Sequence, residues 1–210
     1  MIKALKIAAM RHSRQRKLEQ FYSEYSGGPV LDVGVSGRAR IEGENLFLQT
    51  FRGRDADYTG LGVEDLSDLR ALYPRKTFVT YPGGKFPFEN RAFDWAFSNA
   101  VIEHVGDDAA QLMFLNEMMR VSRNVYFTTP NKYFPVESHT NAFFIHWLPG
   151  DSFYAWCRRR RPYWTRQNLY LFDGSRLRRL LSKSNATEVR MENNRFLGMT
   201  MTFSVFCRGG

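Results

Sequence analysis

The sequence VLDVGVSG at residues 30–37 joins a short strand-like run, interrupted only by Asp32, to a turn that holds two glycines. Glycine lets the backbone turn tightly and lets a ligand come close to the main chain. In sheets of parallel strands, ligands bind beyond the carboxyl ends of the strands, where such turns lie. The stretch therefore predicts a buried first strand with a ligand site at its end, although a plain structural turn explains it equally well when it is taken alone.

Strand-like and helix-like segments alternate on both sides of this stretch. A basic helix is predicted over residues 3–25, within an N-terminal segment 1–27 that a Ser-Gly-Gly-Pro breaker closes. Further strands are predicted at 58–63, 76–81, 93–97, 124–128, 187–191 and 198–206, and further helices at 66–73, 107–121 and 175–181. Such alternation is typical of a parallel sheet covered by helices.

The last two predicted strands are close enough in sequence to form an antiparallel pair. We therefore predict an α/β, Rossmann-like fold: a mostly parallel seven-stranded sheet with helices on both faces and an antiparallel C-terminal strand pair. A chain of 210 residues can bury one full core of this kind. We predict a single domain over residues 1–210.

Composition and charge restrict the class of protein and its partners. The hydrophobic share of 43% and the charged share of 24% are ordinary for a soluble globular domain. The net charge of +9 favours contact with an anion such as nucleic acid, acidic lipid, or an acidic or phosphorylated sugar. Cys157 and Cys207 cannot form a disulfide framework. Both are most simply thiols in a reducing cytosol, so we predict a cytoplasmic location. Because no uncharged apolar run reaches about 18 residues, we predict no spanning helix.

The second predicted strand is also followed by an acidic side chain, Glu64. A carboxylate there can accept hydrogen bonds from both hydroxyls of a ribose. The alternative is a glutamate at a helix start, where the helix dipole favours negative charge. Together with the glycine turn, Glu64 favours a nucleoside ligand.

Residues 86–105, FPFENRAFDWAFSNAVIEHV, resemble the LPF…FD…SNAVIEHV stretch of class I S-adenosylmethionine-dependent methyltransferases, in particular their type 11 group. Residues 115–121 and 127–131 are similar to the helix and fifth strand that follow in that family. The resemblance covers residues 28–135. It implies a Rossmann-like fold, S-adenosylmethionine as cofactor and methyl transfer as the reaction.

The resemblance also implies which positions line the cofactor. Asp32 and Gly34 would lie along its methionine and ribose, Glu64 would hold the ribose, and Asn99 would lie where the sulfonium meets the acceptor. The full implied set is Asp32, Gly34, Val35, Ser36, Glu64, Asp65, Pro82, Gly83, Ser98, Asn99 and Ala100.

Three features of the sequence depart from the family pattern. Ser36 and Arg38 replace glycines of the first turn, Pro82 replaces an acidic residue that binds the adenine, and the turn before the fifth strand is shortened to residues 122–124. Ser36, Arg38 and Pro82 favour a second hypothesis, in which the chain is a non-catalytic methyltransferase fold that serves as a binding or scaffold subunit.

His104 is the first candidate for a general base, because imidazole titrates near physiological pH. Glu103 beside it could orient a substrate or ligate a metal, although no metal site is predicted; both residues could instead anchor the following loop. Candidate substrate-pocket residues follow the fifth strand, where a lid is expected: Tyr133, Glu137, His139, His146 and Trp147.

Residues 133–172 lose the α/β periodicity and form an aromatic and basic lid or insertion. They hold three of the four tryptophans and the run Arg158, Arg159, Arg160 and Arg161. Aromatic and arginine side chains suit an anionic membrane surface, or stacking and phosphate contacts with nucleic acid, or a packed lid with a solvated face. Among the functional interpretations we favour the membrane surface, since residues 3–25 add a second cationic apolar element.

These observations predict an S-adenosylmethionine-dependent methyltransferase that O-methylates a small or lipid-linked sugar-type acceptor. It would be cytoplasmic and could lie peripheral to the inner face of the membrane. A nucleic-acid methyltransferase is a further alternative, disfavoured because the sequence holds no recognised nucleic-acid-binding motif.

Overall fold

The computed structural model describes residues 2–39, 41 and 44–209, with side chains from residue 9 onward. The strands are β1 Val30–Val33, β2 Tyr58–Gly62, β3 Thr77–Thr80, β4 Phe93–Asn99, β5 Ser122–Pro130, β6 Ala186–Phe196 and β7 Met199–Gly209. The α-helices are α1 Ile2–Glu24, α2 Leu46–Gln49, α3 Ser67–Leu72, α4 Asp108–Val121, α5 Gly150–Arg160 and α6 Gly174–Lys183. Short 3₁₀ turns lie at Asp55–Asp57, Ile102–His104 and Ile145–Trp147.

The seven strands form one sheet in the order β3-β2-β1-β4-β5-β7-β6. Strands β1 to β5 are parallel, and β7 runs antiparallel to both β5 and β6. The predicted Rossmann-like sheet with an antiparallel C-terminal pair is confirmed. In the register, Asp32 of β1 lies beside Gly60 of β2 and Phe97 of β4. The carboxyl ends of these three strands therefore meet at one edge of the sheet.

Alternation along the strands divides the core between the two faces of the sheet. In β4, Trp95 and Phe97 belong to the hydrophobic cluster under α1, α2 and α3, whereas Ala96 belongs to the cluster under α4 and α6. The two-residue period of a strand produces this division. Because each face is covered by helices, the prediction of helices on both faces is also confirmed.

Helix α1 is fixed to the sheet by an aromatic cluster. Phe21 is fully buried, and its ring meets those of Phe47, Trp95 and Phe97 edge to face at 5.1, 5.4 and 5.2 Å between centroids. Edge-to-face pairs of this kind stabilise beyond the apolar area that they bury. The docked helix covers the face of the sheet beside the carboxyl edge of β4, which brings Lys17 to the end of that strand.

Residues 133–172, here called the cap, are more regular than their sequence predicts. They contain α5, whose Phe153 and Cys157 are one helical turn apart and pack with Leu169 and Leu171 in a separate small core. The dense aromatic and arginine content hides this four-residue spacing in the sequence. A bridge between Asn131 and Phe172 closes the base of the cap.

In the described part of the chain, no helix combines the length and the apolar character that crossing a membrane requires. Both cysteines are buried, and burial raises the pKa of Cys157 to about 11 and that of Cys207 to about 12. Thiols with such pKa values are almost entirely protonated at neutral pH and are poor nucleophiles.

Candidate functional site

A cavity of about 670 Å³ lies at the carboxyl ends of β1, β2 and β4, between α1 and the cap. The sequence-predicted residues that line it are Asp32, Gly34, Val35, Ser36, Glu64, Asn99, Ala100, His104 and His139. Residues outside the predicted set also line it, among them Met10, Arg14, Lys17, Asn45, Ser138, Tyr163, Trp164 and Asn168. A second hollow of similar volume lies between the start of α4 and the cap and includes no strand end.

Several predicted cofactor residues lie elsewhere. Ser98 is buried and donates its hydroxyl to the carbonyl oxygen of Val33 at 3.2 Å. The Asp65 carboxylate accepts hydrogen bonds from the backbone and hydroxyl of Ser67 at the start of α3. Pro82 and Gly83 lie in the loop after β3 and do not line the cavity. Cofactor contacts at these positions stay predictions.

The predicted substrate residues are also divided. His139 lines the cavity. The side chains of Tyr133 and Trp147 are exposed, and their ring centroids lie 6.3 Å apart. His146 is buried and its Nε2 lies 2.8 Å from the carbonyl oxygen of Phe134. Burial lowers the pKa of His146, which favours the neutral ring. Substrate contacts of Tyr133, His146 and Trp147 stay predictions.

The glycine turn after β1 depends on one glycine and one asparagine. Gly34 has φ of 94°, and a Cβ there would lie 2.3 Å from the Val101 side chain, so only glycine fits. The backbone N–H of Ser36 donates to Asn45 Oδ1 at 3.0 Å, and Asn45 Nδ2 donates to the Ser36 carbonyl at 2.8 Å. This pair of hydrogen bonds holds the turn although Ser36 departs from the glycine pattern.

Glu64 closes the other side of the turn. Its Oε2 accepts hydrogen bonds from the Gly37 N–H at 3.0 Å and from the Ser36 hydroxyl at 3.3 Å. A Cβ on Gly37 would lie 2.2 Å from the carbonyl oxygen of Asp65, so glycine is required for this approach. Within residues 2–39, 41 and 44–209, no hydrogen bond reaches Oε1 of Glu64. One carboxylate oxygen at the cavity is therefore left for a ligand.

Asp32 lies at the base of the cavity and is 7% exposed. Burial raises the pKa of its carboxyl to about 7, against the effect of a hydrogen bond from the Tyr58 hydroxyl at 2.5 Å. Near neutral pH the carboxyl therefore exists in both protonation states. A cationic group of a ligand beside it would favour the carboxylate.

Lys17 reaches the same edge of the sheet from α1. The Asn99 Oδ1 accepts hydrogen bonds from Lys17 Nζ at 3.2 Å and from the Thr128 hydroxyl at 2.8 Å. Burial lowers the pKa of Lys17 to about 8, although the Glu103 carboxylate acts in the opposite direction. The sequence predicts α1 as a basic helix that supports membrane contact, and it does not place Lys17 at the cavity. Met10, Arg14 and Lys17 share one helical face that lines the cavity, but their spacing alone does not indicate that this face meets a ligand site.

The backbone at the end of β4 is strained where it meets the cavity. Ala100 has φ of 57°, in the left-handed region that a residue with a side chain rarely adopts. A hydrogen bond from its N–H to the Thr128 carbonyl at 3.0 Å holds this conformation. Strained residues that the surrounding structure fixes are concentrated at ligand sites.

Two histidines meet at the cap end of the cavity. The Nε2 atoms of His104 and His139 lie 3.1 Å apart. The Nδ1 of His104 lies 2.7 Å from the carbonyl oxygen of Asn168, and the Nδ1 of His139 lies 2.6 Å from Glu137 Oε1. Trp164 contacts both rings at centroid distances of 5.7 and 5.2 Å. The candidate base and a candidate substrate residue therefore belong to one cluster.

Glu137 supports His139 from behind. It is buried, and its carboxylate accepts hydrogen bonds from the backbone N–H groups of His139 and Thr140 and from the Thr140 hydroxyl. Burial alone would raise the pKa of Glu137, but hydrogen bonds from His139 and Thr140 lower it to about 2. The permanent carboxylate orients the imidazole ring.

Glu103 is fully buried behind His104 and does not line the cavity. Its Oε2 accepts a hydrogen bond from the Thr129 hydroxyl at 3.1 Å, and its backbone carbonyl accepts one from the Tyr170 N–H at 2.7 Å. Its Oε1 lies 4.0 Å from His104 Nε2 and has no hydrogen-bond partner among the described residues.

No protein-family model matches the sequence, and no curated protein matches it. Several solved structures are nevertheless similar in fold. A protein from Pyrococcus horikoshii OT3 is 13% identical, with a TM-score of 0.62 over 94% of this chain and 90% of that one. A SAM-dependent methyltransferase from Thermotoga maritima, a possible histamine N-methyltransferase, is 13% identical. Its TM-score is 0.57 over 96% of this chain and 91% of that one.

A third similar structure is a Haemonchus contortus phosphoethanolamine N-methyltransferase in complex with phosphomonomethylethanolamine and S-adenosylhomocysteine. It is 14% identical, with a TM-score of 0.58 over 94% of this chain and 52% of that one. At such identities the likeness establishes the fold. The chain has the class I fold of S-adenosylmethionine-dependent methyltransferases, whereas membership of the type 11 group stays a prediction.

Proposed function

We propose that this protein is an S-adenosylmethionine-dependent methyltransferase that methylates a hydroxyl group of a small, sugar-type acceptor. The observation that carries the proposal is the convergence of Asp32, Glu64 and Asn99 on one cavity. Asp32 and Asn99 lie near the carboxyl ends of β1 and β4, and Glu64 follows β2, in a fold that this chain shares with methyltransferases. Ligands of such sheets bind at this edge.

The residues at this edge fit the cofactor. Oε1 of Glu64 is available to accept hydrogen bonds from ribose hydroxyls. Asp32 would face the cationic amino-acid end of the molecule, and the Gly34 turn allows close approach of the backbone. When bound, S-adenosylmethionine supplies an activated methyl group: as the acceptor oxygen bonds the methyl carbon, the carbon–sulfur bond breaks and its electron pair stays on a neutral thioether sulfur.

The cap side of the cavity supports a sugar-type acceptor. Tyr163 and Trp164 present aromatic surface, which packs against the C–H faces of sugar rings. Polar groups nearby can fix hydroxyl positions, as in other small-molecule sites. The His104 and His139 cluster lies at this end. We place there the acceptor hydroxyl that loses its proton during transfer.

Cationic side chains support an acceptor that carries an acid or phosphate group. Arg14 and Lys17 line the cavity from α1. The cap also exposes Phe143, Phe144 and Trp147, while the last turn of α5 holds Arg158, Arg159 and Arg160. These features support a lipid-linked form of the acceptor, reached while the cap contacts an anionic membrane surface.

Calorimetric titration with S-adenosylhomocysteine tests the proposal. The wild type is expected to bind, and Glu64→Gln should weaken binding by at least about 10-fold, because a hydrogen bond to a charged group contributes about 1.5–3 kcal/mol. Glu89→Gln is the matched control, since Glu89 is exposed and does not line the cavity. A wild-type protein that fails to bind at millimolar concentration would contradict the enzyme hypothesis and leave a scaffold role.

A further inference from the structure

The hydrogen-bond partners of His104 and His139 fix where their ring protons lie. A carbonyl oxygen and a carboxylate oxygen only accept, so the Nδ1 atoms facing Asn168 and Glu137 must both carry hydrogen. In a neutral imidazole the other nitrogen then bears a lone pair. The two Nε2 atoms, 3.1 Å apart, would thus direct lone pairs at each other. A shared proton or a metal ion must separate them.

Glu103 supplies a third donor atom at the same point. Its side chain is fully buried, and Oε1 has no hydrogen-bond partner in the described part of the chain. Leaving a buried carboxylate oxygen unpaired is costly. The Thr129 hydroxyl holds Oε2, which leaves Oε1 directed toward His104. The ligand atoms of Glu103, His104 and His139 all lie within 4.8 Å of one another.

We propose that Glu103, His104 and His139 bind a divalent transition-metal ion, with Zn²⁺ as the ion of best fit. Zinc–nitrogen bonds of about 2.0–2.1 Å in a tetrahedral arrangement place two donor nitrogens about 3.3 Å apart. The observed 3.1 Å is close to that separation. The Glu103 oxygen, now 4.0 Å from His104 Nε2, needs to move by less than about 1 Å.

The contacts behind the ligands are those that metal-bound histidines use. Such a histidine donates its other ring N–H to a carbonyl or carboxylate, which fixes the tautomer and the ring orientation. Here Asn168 and Glu137 are those acceptors. Glu103 and Glu137 together supply two negative charges, which match the charge of a divalent ion. Two imidazoles and one carboxylate favour Zn²⁺ over Mg²⁺, which prefers an all-oxygen octahedron.

Three protein ligands leave one coordination position for a small molecule. Because His104 and His139 line the cavity, that position opens toward the acceptor. This role rests on the proposed function, whereas metal binding itself does not. A Zn²⁺ ion there would lower the pKa of a coordinated acceptor hydroxyl. The hydroxyl proton would then pass to solvent water in the open cavity, and transfer from the alkoxide would need no separate strong base.

The test is metal binding by the full-length protein, without a histidine tag and stripped by a chelator. We expect one Zn²⁺ per chain by calorimetry and by elemental analysis. His139→Ala and Glu103→Gln should each weaken Zn²⁺ binding by at least about 10-fold to 100-fold, since even supporting contacts contribute that much. His12→Ala is the matched control, because His12 is exposed on α1 and outside the cluster. The Co²⁺-substituted protein should show the visible absorption of a tetrahedral site.

Weak or non-stoichiometric Zn²⁺ binding by the wild type would overturn the proposal and leave a shared proton between the histidines. The proposal would also be overturned if His12→Ala and His139→Ala lost the same amount of Zn²⁺ affinity. Binding of Mg²⁺ as tight as that of Zn²⁺ would overturn it as well. Circular dichroism checks that each variant is folded, and Glu103→Gln keeps the shape of the side chain if His139→Ala does not fold. Titration of S-adenosylhomocysteine on the same samples separates a failed metal site from a failed cofactor site.

Discussion

Two buried ionisable side chains at the cavity have pKa values displaced toward neutrality from opposite sides. Burial raises the pKa of Asp32 to about 7 and lowers that of Lys17 to about 8. Both displacements disfavour the charged forms, so both residues reduce stability near pH 7. Perturbed groups that share a cleft are typical of functional sites, and the cavity is where this fold gives up stability for binding.

Asp32→Asn is expected to stabilise the protein at alkaline pH. A carboxyl whose folded-state pKa is raised contributes stability that is fully present below its unfolded pKa of about 3.8 and is lost as the pH rises through about 7. Asparagine stays neutral and can still accept the Tyr58 hydrogen bond. The gain in the free energy of unfolding should reach up to about 4 kcal/mol at pH 8 and nearly vanish at pH 4.

Urea unfolding of both proteins at the two pH values measures this difference. Glu89→Gln, which neutralises an exposed carboxylate, should change the free energy of unfolding by less than about 0.5 kcal/mol at either pH. If Asp32→Asn raised the free energy of unfolding equally at pH 4 and pH 8, the cost of burying the Asp32 charge would not be the cause of the stabilisation.

At the scale of elements, α1 forms a wall of the site, and its position depends on Phe21. Phe21→Ala should lower the free energy of unfolding by about 3–5 kcal/mol, because it removes a fully buried ring from the cluster with Phe47, Trp95 and Phe97. Thermal and denaturant unfolding measure the loss. Phe143→Ala, at a half-exposed ring of the cap, is the control and should cost far less. Comparable losses would mean that α1 docks by other contacts.

The elements that the sequence predicted are those with a local signal. Strands bounded by glycine or proline agree with their predicted bounds to within about three residues, whereas β6 runs to Phe196, past its predicted end at residue 191. The meeting of Asp32, Glu64 and Asn99 also follows from the sequence, because carboxyl ends of parallel strands share one edge. Lys17 was missed, since the side on which a helix docks is decided by contacts distant in sequence. The approach of His139 to His104 depends on the folding of the cap and has no local signal.

At the scale of the whole molecule, the cationic charge has two separate locations. Arg14 and Lys17 face the cavity, where they can act on a bound ligand. Arg158, Arg159 and Arg160 lie on the outside of the cap, on the exposed last turn of α5. Exposed aromatic side chains at Phe143, Phe144 and Trp147 belong to the same cap. Part of the net charge of +9 is therefore concentrated on the cap, where it can attract an anionic membrane surface.

Co-sedimentation with vesicles that contain an anionic phospholipid tests this component. The wild type should bind, and binding should weaken as salt screens the charges. Replacing Arg158, Arg159 and Arg160 with Gln should reduce the partition coefficient by about 100-fold, since each basic residue near an anionic surface contributes about 1 kcal/mol. Replacing Arg178, Arg179 and Arg195 with Gln makes the same change in net charge at exposed positions outside the cap. If the two triple variants lose binding equally, only the overall charge acts; if RNA binds the wild type more tightly than the vesicles do, the membrane proposal is wrong.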